Sequence, residues 1–226
     1  VKLYAKFVPV CYVYFMDGTG PDARIIATKE VPEGKSLDDF SDVTFSIDTD
    51  EAITGWVDKD NNPVTSVSFS DGTTYLYPIV EKGNWIEFNS KGGSYVAPLF
   101  VANGTAPTRP ADPSKPGYTF DGWYDAQEDK YEFNAPLSGN VELTAKWTAA
   151  NNTKYTVIHW LENADDDKYS YKESETLTGT AGTQTNATAK DTKRVEAYNG
   201  FTAQAVEQKT IAGDGSTIVN VYYKRN

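Results

Sequence analysis

The 226 residues carry 32 Asp and Glu against 21 Lys and Arg, a net charge of -11, with 39% hydrophobic and 13% aromatic residues. That apolar content is too high and too evenly spread for a disordered chain, and it supports one or two domains at roughly 100 to 200 residues each. The acidity, with no long basic block, removes the attraction on which binding to nucleic acid or to an anionic membrane surface depends.

The chain opens on VKLYAKF, which matches VELTAKW at 141–147: Leu3 with Leu143, Ala5 with Ala145, Lys6 with Lys146 and Phe7 with Trp147. Residues 1–8 are therefore expected to be the terminal strand of a preceding repeat, and the chain reads as a piece of something longer. The apolar run from Val8 to Phe15 is far short of the roughly 18 residues that span a bilayer, and it lacks the anatomy of a cleavable signal. CYVYFMDGTG, from Cys11, predicts an aromatic-rich strand and a turn. Cys11 is the single cysteine, so an intramolecular disulfide, a CxxC pair and a thiolate zinc site are excluded. Its alternation with Tyr12, Val13, Tyr14 and Phe15 predicts a buried strand position. Ser36–Phe40 reads as one capped helical turn. Gly55-Trp56 predicts a bulge or a close backbone approach with the indole covering the gap, and TYLYPIV, with Leu76 aligned to Leu143, predicts the closing strand.

The next unit starts at NWIEFNSKGG from Asn84 and repeats the order, with Gly122-Trp123 ahead of the closing AKW. Pro107, Pro110, Pro113 and Pro116 lack backbone donors, so the connection there must be extended. KYTVIHWLEN, from Lys154, opens a third unit in which His159, the single histidine, reads as a structural strand residue. In DDDKYSYKE the acidic run reads as a solvated turn, since the spacing of an EF-hand is missing. The alternation after it puts Tyr169 and Tyr171 on one strand face. Asn186–Glu196 is a marginal helix, and VNVYYKR closes the unit.

Unit starts recur at spacings of roughly 65 to 75 residues, so internal repetition organises the whole chain. The reading is strand-dominated α+β units, bounded at 9–82, 83–150 and 151–226, each with a short crossover. The connections Glu81-Lys82-Gly83 and Thr148–Asn152 are so short that neighbouring units are expected to touch, giving a semi-rigid array.

The pattern WIEFNSKGGSYV, then prolines leading into KPGYTFDGWYD, then KYEFNAPLSGNVELTAKW closely resembles the Listeria-Bacteroides repeat, the internalin B-repeat family, over residues 84–148. Residues 10–81 resemble a divergent copy, with Ile53-Thr54-Gly55-Trp56 in place of Phe120-Asp121-Gly122-Trp123 and no counterpart of Gly117-Tyr118. Residues 153–226 resemble a MucBP-type, mucin-binding-protein repeat, on YTVIHWLE, ETLTGTAGT, YNGF and VNVYYKR. The resemblance implies a β-grasp, ubiquitin-like fold for each unit, tandem domains in an elongated array, and a place in a surface protein of Gram-positive or other bacteria, attached to the cell wall. It supplies no catalytic residue and no cofactor, since neither repeat type is known as an enzyme.

The function expected from this is a stalk and adhesion segment, with the neighbouring repeats of the same chain as its contacts. The alternative is direct recognition of a host or microbial glycoprotein or mucin glycan. Sugars stack on exposed aromatic rings, which makes Tyr169, Tyr171, Trp123, Tyr124 and Tyr131 the candidate binding residues, each with packing or turn structure as its competing role.

Overall fold

A computed structural model describes residues 7–226. Most of the expected opening strand at 1–8, with Lys6, therefore lies outside the described residues. Thirteen strands follow in chain order: β1 (Val10–Met16), β2 (Ile25–Pro32), β3 (Ser36–Leu37), β4 (Glu51–Val57), β5 (Val67–Ser68), β6 (Thr74–Asn89), β7 (Leu99–Ala102), β8 (Tyr118–Tyr124), β9 (Val141–Ala149), β10 (Thr153–Glu162), β11 (Tyr169–Gly179), β12 (Phe201–Ala203) and β13 (Ile218–Arg225). The chain divides into two compact units. The first runs to Ile86 and includes Pro98–Thr108 and Phe133–Val141; the second comprises Glu87–Ala97, Arg109–Glu132 and Glu142–Asn226.

In the first unit β1 forms an antiparallel hairpin with β2 and a parallel pair with the start of β6, and β6 takes β4 antiparallel further along, over Tyr77–Lys82. The alternation of VCYVYFM sends Cys11, Val13 and Phe15 inward and Tyr12 and Tyr14 outward. Phe15 meets Trp56 edge to face at 4.8 Å and Phe40 at 5.5 Å, and Val31, Val43, Val67 and Leu76 complete this core. In the second unit β10 repeats the plan: antiparallel with β11, parallel with β13, and β13 antiparallel with β12. The two sets of pairings, β2 with β1, β1 with β6 and β6 with β4 against β11 with β10, β10 with β13 and β13 with β12, share the sequence antiparallel, parallel, antiparallel.

The Gly-Trp motifs are bulges. The register of β4 against β6 slips between Ile53 and Gly55, and that of β8 against β9 slips between Phe120 and Gly122. In each case one residue, Thr54 or Asp121, is left over, and the strand turns its next Trp into the core. Trp56 is 5% exposed and Trp123 1%. Gly122 sits at φ 141, a backbone conformation other residues avoid, which is why glycine stands at the slip.

Strand dominance holds, but the helical half of the α+β expectation needs correction. Among the described residues there is no α-helix, only 3-10 turns at Phe69–Asp71 and Glu196–Tyr198. Ser36 and Leu37 pair with Ser68 and Val67 as a short ribbon instead of opening a helical turn. Across Asn186–Glu196 the backbone is claimed by side chains of the core: Asn186 N–H donates to Tyr155, Ala187 N–H to the Gln208 amide oxygen, and Lys190 N–H to Tyr223. Gln208 Nε2 donates back to Ala187 C=O, so this segment is held extended. Glu81-Lys82-Gly83, read as a connection, lies inside the 16-residue strand β6. Gly83 is required there, because a Cβ would fall 2.2 Å from the Val101 carbonyl oxygen on β7.

Candidate functional site

Two arrangements in the sheet β11-β10-β13-β12 concentrate polar and aromatic chemistry, one on each face. They follow from the alternation of TKYTVIHWLE, which places Tyr155, Val157 and His159 on one side and Thr156, Ile158 and Trp160 on the other.

The inward face carries the histidine. His159 is 0% exposed; its Nδ1 lies 2.9 Å from the Tyr223 hydroxyl and its Nε2 3.1 Å from Glu175 Oε1. Lys190 Nζ donates to the other Glu175 oxygen at 2.9 Å, and its own N–H donates to Tyr223 Oη at 2.7 Å. Tyr198 Oη donates to Glu173, and its ring lies 4.5 Å from that of Tyr223. The bond from Lys190, above all, holds the Glu175 carboxyl below the usual carboxylate range, with the His159 bond adding to it against the cost of burial. Burial pushes the phenols of Tyr198 and Tyr223 upward, and the Glu173 carboxylate raises Tyr198 further. Every polar atom of the imidazole is used and no solvent reaches it, so His159 ties β10, β11, β13 and the 186–196 segment together. Its structural role was legible in the sequence; its partners were not.

The outward face is aromatic. A slip in register between His159 and Trp160 makes Lys172 the extra residue of β11, and after it Trp160 pairs with Tyr171 and Glu162 with Tyr169. Across the parallel ladder Trp160 also pairs with Tyr222. Tyr171 meets Trp160 edge to face at 6.1 Å, Trp160 and Tyr222 lie nearly parallel at 6.4 Å, and Tyr169 meets Tyr222 at 4.9 Å. Tyr171 is 59% exposed and Tyr222 40%. The indole N–H of Trp160 donates to Asn220 at 2.9 Å, which fixes the ring at the centre of the patch. Beside it the Asp165-Asp166-Asp167 run forms a hairpin turn in which Asp166 accepts from Asn163 Nδ2 and from Lys168 N–H.

Tyr169 and Tyr171 therefore share one face, joined by two residues that the sequence reading passed over, Trp160 and Tyr222. The signal was present: Trp160 alternates opposite to His159, and Tyr222 precedes the inward Tyr223 of the closing strand. The other expected binding residues lie apart from this patch. Trp123 is buried between Phe88 at 4.8 Å and Phe120 at 5.3 Å, so as a ligand-stacking residue it is corrected to a core residue. Its indole N–H is buried without a hydrogen-bond acceptor among the described residues. Tyr124 is half-buried under Lys146, whose Nζ stands 4.1 Å from its ring centre. Tyr131 is half-buried, with its N–H donated to Trp123 C=O and its phenol pushed upward by burial.

A third feature of the second unit is a joint between the β8–β9 hairpin and the β10–β13 sheet. A Cβ on Gly213 would fall 1.9 Å from Pro116 C=O, and one on Gly182 would fall 2.6 Å from the Tyr118 hydroxyl. Ala150 N–H donates to Gly117 C=O and Ala181 N–H to Ala150 C=O, so the three-residue turn between β9 and β10 is bonded on both sides.

Among known proteins, a Gly-rich membrane protein of Evansella cellulosilytica is 27% identical over 168 residues, 69% of this chain and 19% of its own length. A second membrane protein of the same organism is 33% identical over 69 residues, 29% of this chain and 10% of its own length. The chain thus spans a fifth or less of the relatives it matches. A solved pair of streptococcal high identity repeats in tandem, domains 3-4 from a cell surface protein, has 16% identity and covers 63% of this chain and 98% of its own, with a TM-score of 0.25, too low to carry an argument about fold. Residues 85–146, the stretch that holds Trp123 and the Pro-rich connection, match the family model of the Listeria-Bacteroides repeat domain.

Proposed function

We propose that the chain is a non-catalytic repeat segment of a bacterial cell-surface protein, acting as a semi-rigid stalk and adhesion module. In this reading residues 9–82 are a divergent copy of the matched repeat, residues 83–150 are the repeat itself, and residues 151–226 are a MucBP-type repeat. Each follows a β-grasp plan without its helix. The family match at 85–146 and the recurring pattern of strand pairings support the repeat assignment. The observation that carries the mechanical part is the joint at Gly117 and Gly213, where backbone lies against backbone and the intervening turn is hydrogen-bonded at Ala150 and Ala181. A joint of that kind leaves no free linker to act as a hinge. The test is 15N relaxation on the full chain: residues 109–132 and 153–226 are expected to report one rotational correlation time. Two separate times would end the spacer reading.

A second reading is favoured by the outward face of Trp160, Tyr169, Tyr171 and Tyr222. Two of its rings are well exposed, and such a face suits recognition of a mucin or other glycoprotein glycan by stacking. Saturable binding of the full chain to immobilised mucin, abolished in Tyr169→Ala plus Tyr171→Ala, is the expected result. Binding that survives the double substitution would dismiss this face.

A further inference from the structure

The first unit holds a groove that neither reading uses. It has a volume of about 550 Å³, within the range of small-molecule sites, and lies between residues 40–49 and β4, closed at one side by Trp85. The wall segment runs from Phe40 to Thr49 without strand or helix, and the side chains it does bury are few, so the groove is a product of that loop crossing β4 rather than of the shared strand plan.

The lining has two characters. Trp56, at 5% exposed, forms the floor, and the half-buried rings of Phe40, Phe45 and Trp85 stand around it. Between the rings come Thr44, Asp48, Thr49 and Thr54. No side-chain hydrogen bond or ion pair within the described residues engages the Asp48 carboxylate, the three threonine hydroxyls or the two indole N–H groups. The mouth is acidic: Glu51 lines it, with Asp50 beside it, and Lys82 stands 3.6 Å from both carboxylates. Three carboxylates against one ammonium repel an anionic ligand.

An apolar peptide side chain would cover the rings but leave this surround of donors and acceptors unpaired, at a cost for each group that is desolvated. A pyranose ring meets both requirements, since its C–H face covers an aromatic ring while its hydroxyls, each both donor and acceptor, reach outward to carboxylate, threonine and indole N–H. We propose that this groove binds a neutral saccharide residue, with Trp85 and Phe45 as stacking walls and Asp48 as the principal hydroxyl acceptor. The site is separate from the outward face of β10, β11 and β13 and stands or falls independently of it.

The test uses the full chain labelled with 15N and follows the indole N–H signals of Trp56, Trp85 and Trp160 during titration with galactose, N-acetylglucosamine and N-acetyllactosamine to about 10 mM, the weak-affinity range of single sugar sites. Saturable shifts of the Trp56 and Trp85 signals with at least one sugar are expected. Asp48→Ala is expected to weaken that binding about tenfold, the loss that goes with one hydrogen bond to a charged acceptor, while Tyr171→Ala leaves it unchanged. Circular dichroism of Asp48→Ala should match the parent, because the exposed carboxylate holds no partner among the described residues. Shifts confined to Trp160, shifts undiminished by Asp48→Ala, or shifts produced by a Lys-Leu peptide but by none of the sugars would each overturn the assignment.

Discussion

Gly117 and Gly213 meet main chain to main chain: a Cβ on Gly117 would lie 2.5 Å from Gly213 Cα, and one on Gly213 would lie 1.9 Å from the carbonyl oxygen of Pro116. Neither contact can be relieved by turning a side chain, because the obstructing atoms are backbone. Gly213→Ala is therefore expected to part the β8–β9 hairpin from the β10–β13 sheet while leaving both folded. Thermal unfolding followed by calorimetry should change from one transition to two. A single, unshifted transition would show that the joint couples nothing.

Trp123 fills the core of the matched repeat but also buries an N–H with no acceptor among the described residues. Truncation to Ala removes the largest fully buried side chain among the described residues and should cost about 3–5 kcal/mol in denaturant unfolding. Trp123→Phe keeps an aromatic ring between Phe88 and Phe120 and deletes the orphan donor, whose burial costs about 1–3 kcal/mol. Its loss is expected to be well under half that of the Ala variant.

Tyr223→Phe removes one hydroxyl and leaves two groups without their partner, His159 Nδ1 and the Lys190 N–H. A loss of about 1–3 kcal/mol is expected, read as a lower urea midpoint with unchanged slope. Tyr222→Phe, one residue earlier on the opposite face, is expected to change stability by less than about 0.5 kcal/mol, since its hydroxyl holds no partner among the described residues.

The pH dependence has a definite sign at each end. Glu175 has a folded pKa below its ordinary 4.5, so the stability it contributes is present above that value and is lost as pH falls through the folded pKa. Lys190→Met, which removes the main cause, should flatten this acid limb. Tyr198 and Tyr223 are raised above their ordinary 10.0, so the unfolded chain releases protons that the folded one retains, and stability falls as pH rises past about 10. Urea midpoints from pH 3 to pH 11, covering both windows, measure both limbs.

The strands, the two Gly-Trp bulges and the shared face of Tyr169 and Tyr171 were legible because each is set by local alternation or by a residue with unusual backbone freedom. What the sequence concealed was long-range. The helix read into Asn186–Glu196 failed because Gln208, Tyr155 and Tyr223 claim its backbone groups from elsewhere in the fold. Trp160 and Tyr222 joined the aromatic face through a parallel pairing of strands some sixty residues apart, and the register slip at Lys172 that aligns Tyr171 with Trp160 leaves no mark on composition. The groove beside Trp56 depends on an irregular loop, for which periodicity offers no guide.

Strand β6 has a consequence for how such a chain can change over generations. It pairs with β1 and β4 through Thr74–Lys82 and with β7 from Gly83 onward, so one uninterrupted strand serves different partners on the two sides of Gly83. A duplication or deletion with its breakpoint at Gly83 would sever this strand and part β1 and β4 from β7. A breakpoint in the turn at Ala150-Asn151-Asn152 falls between β9 and β10 and cuts neither.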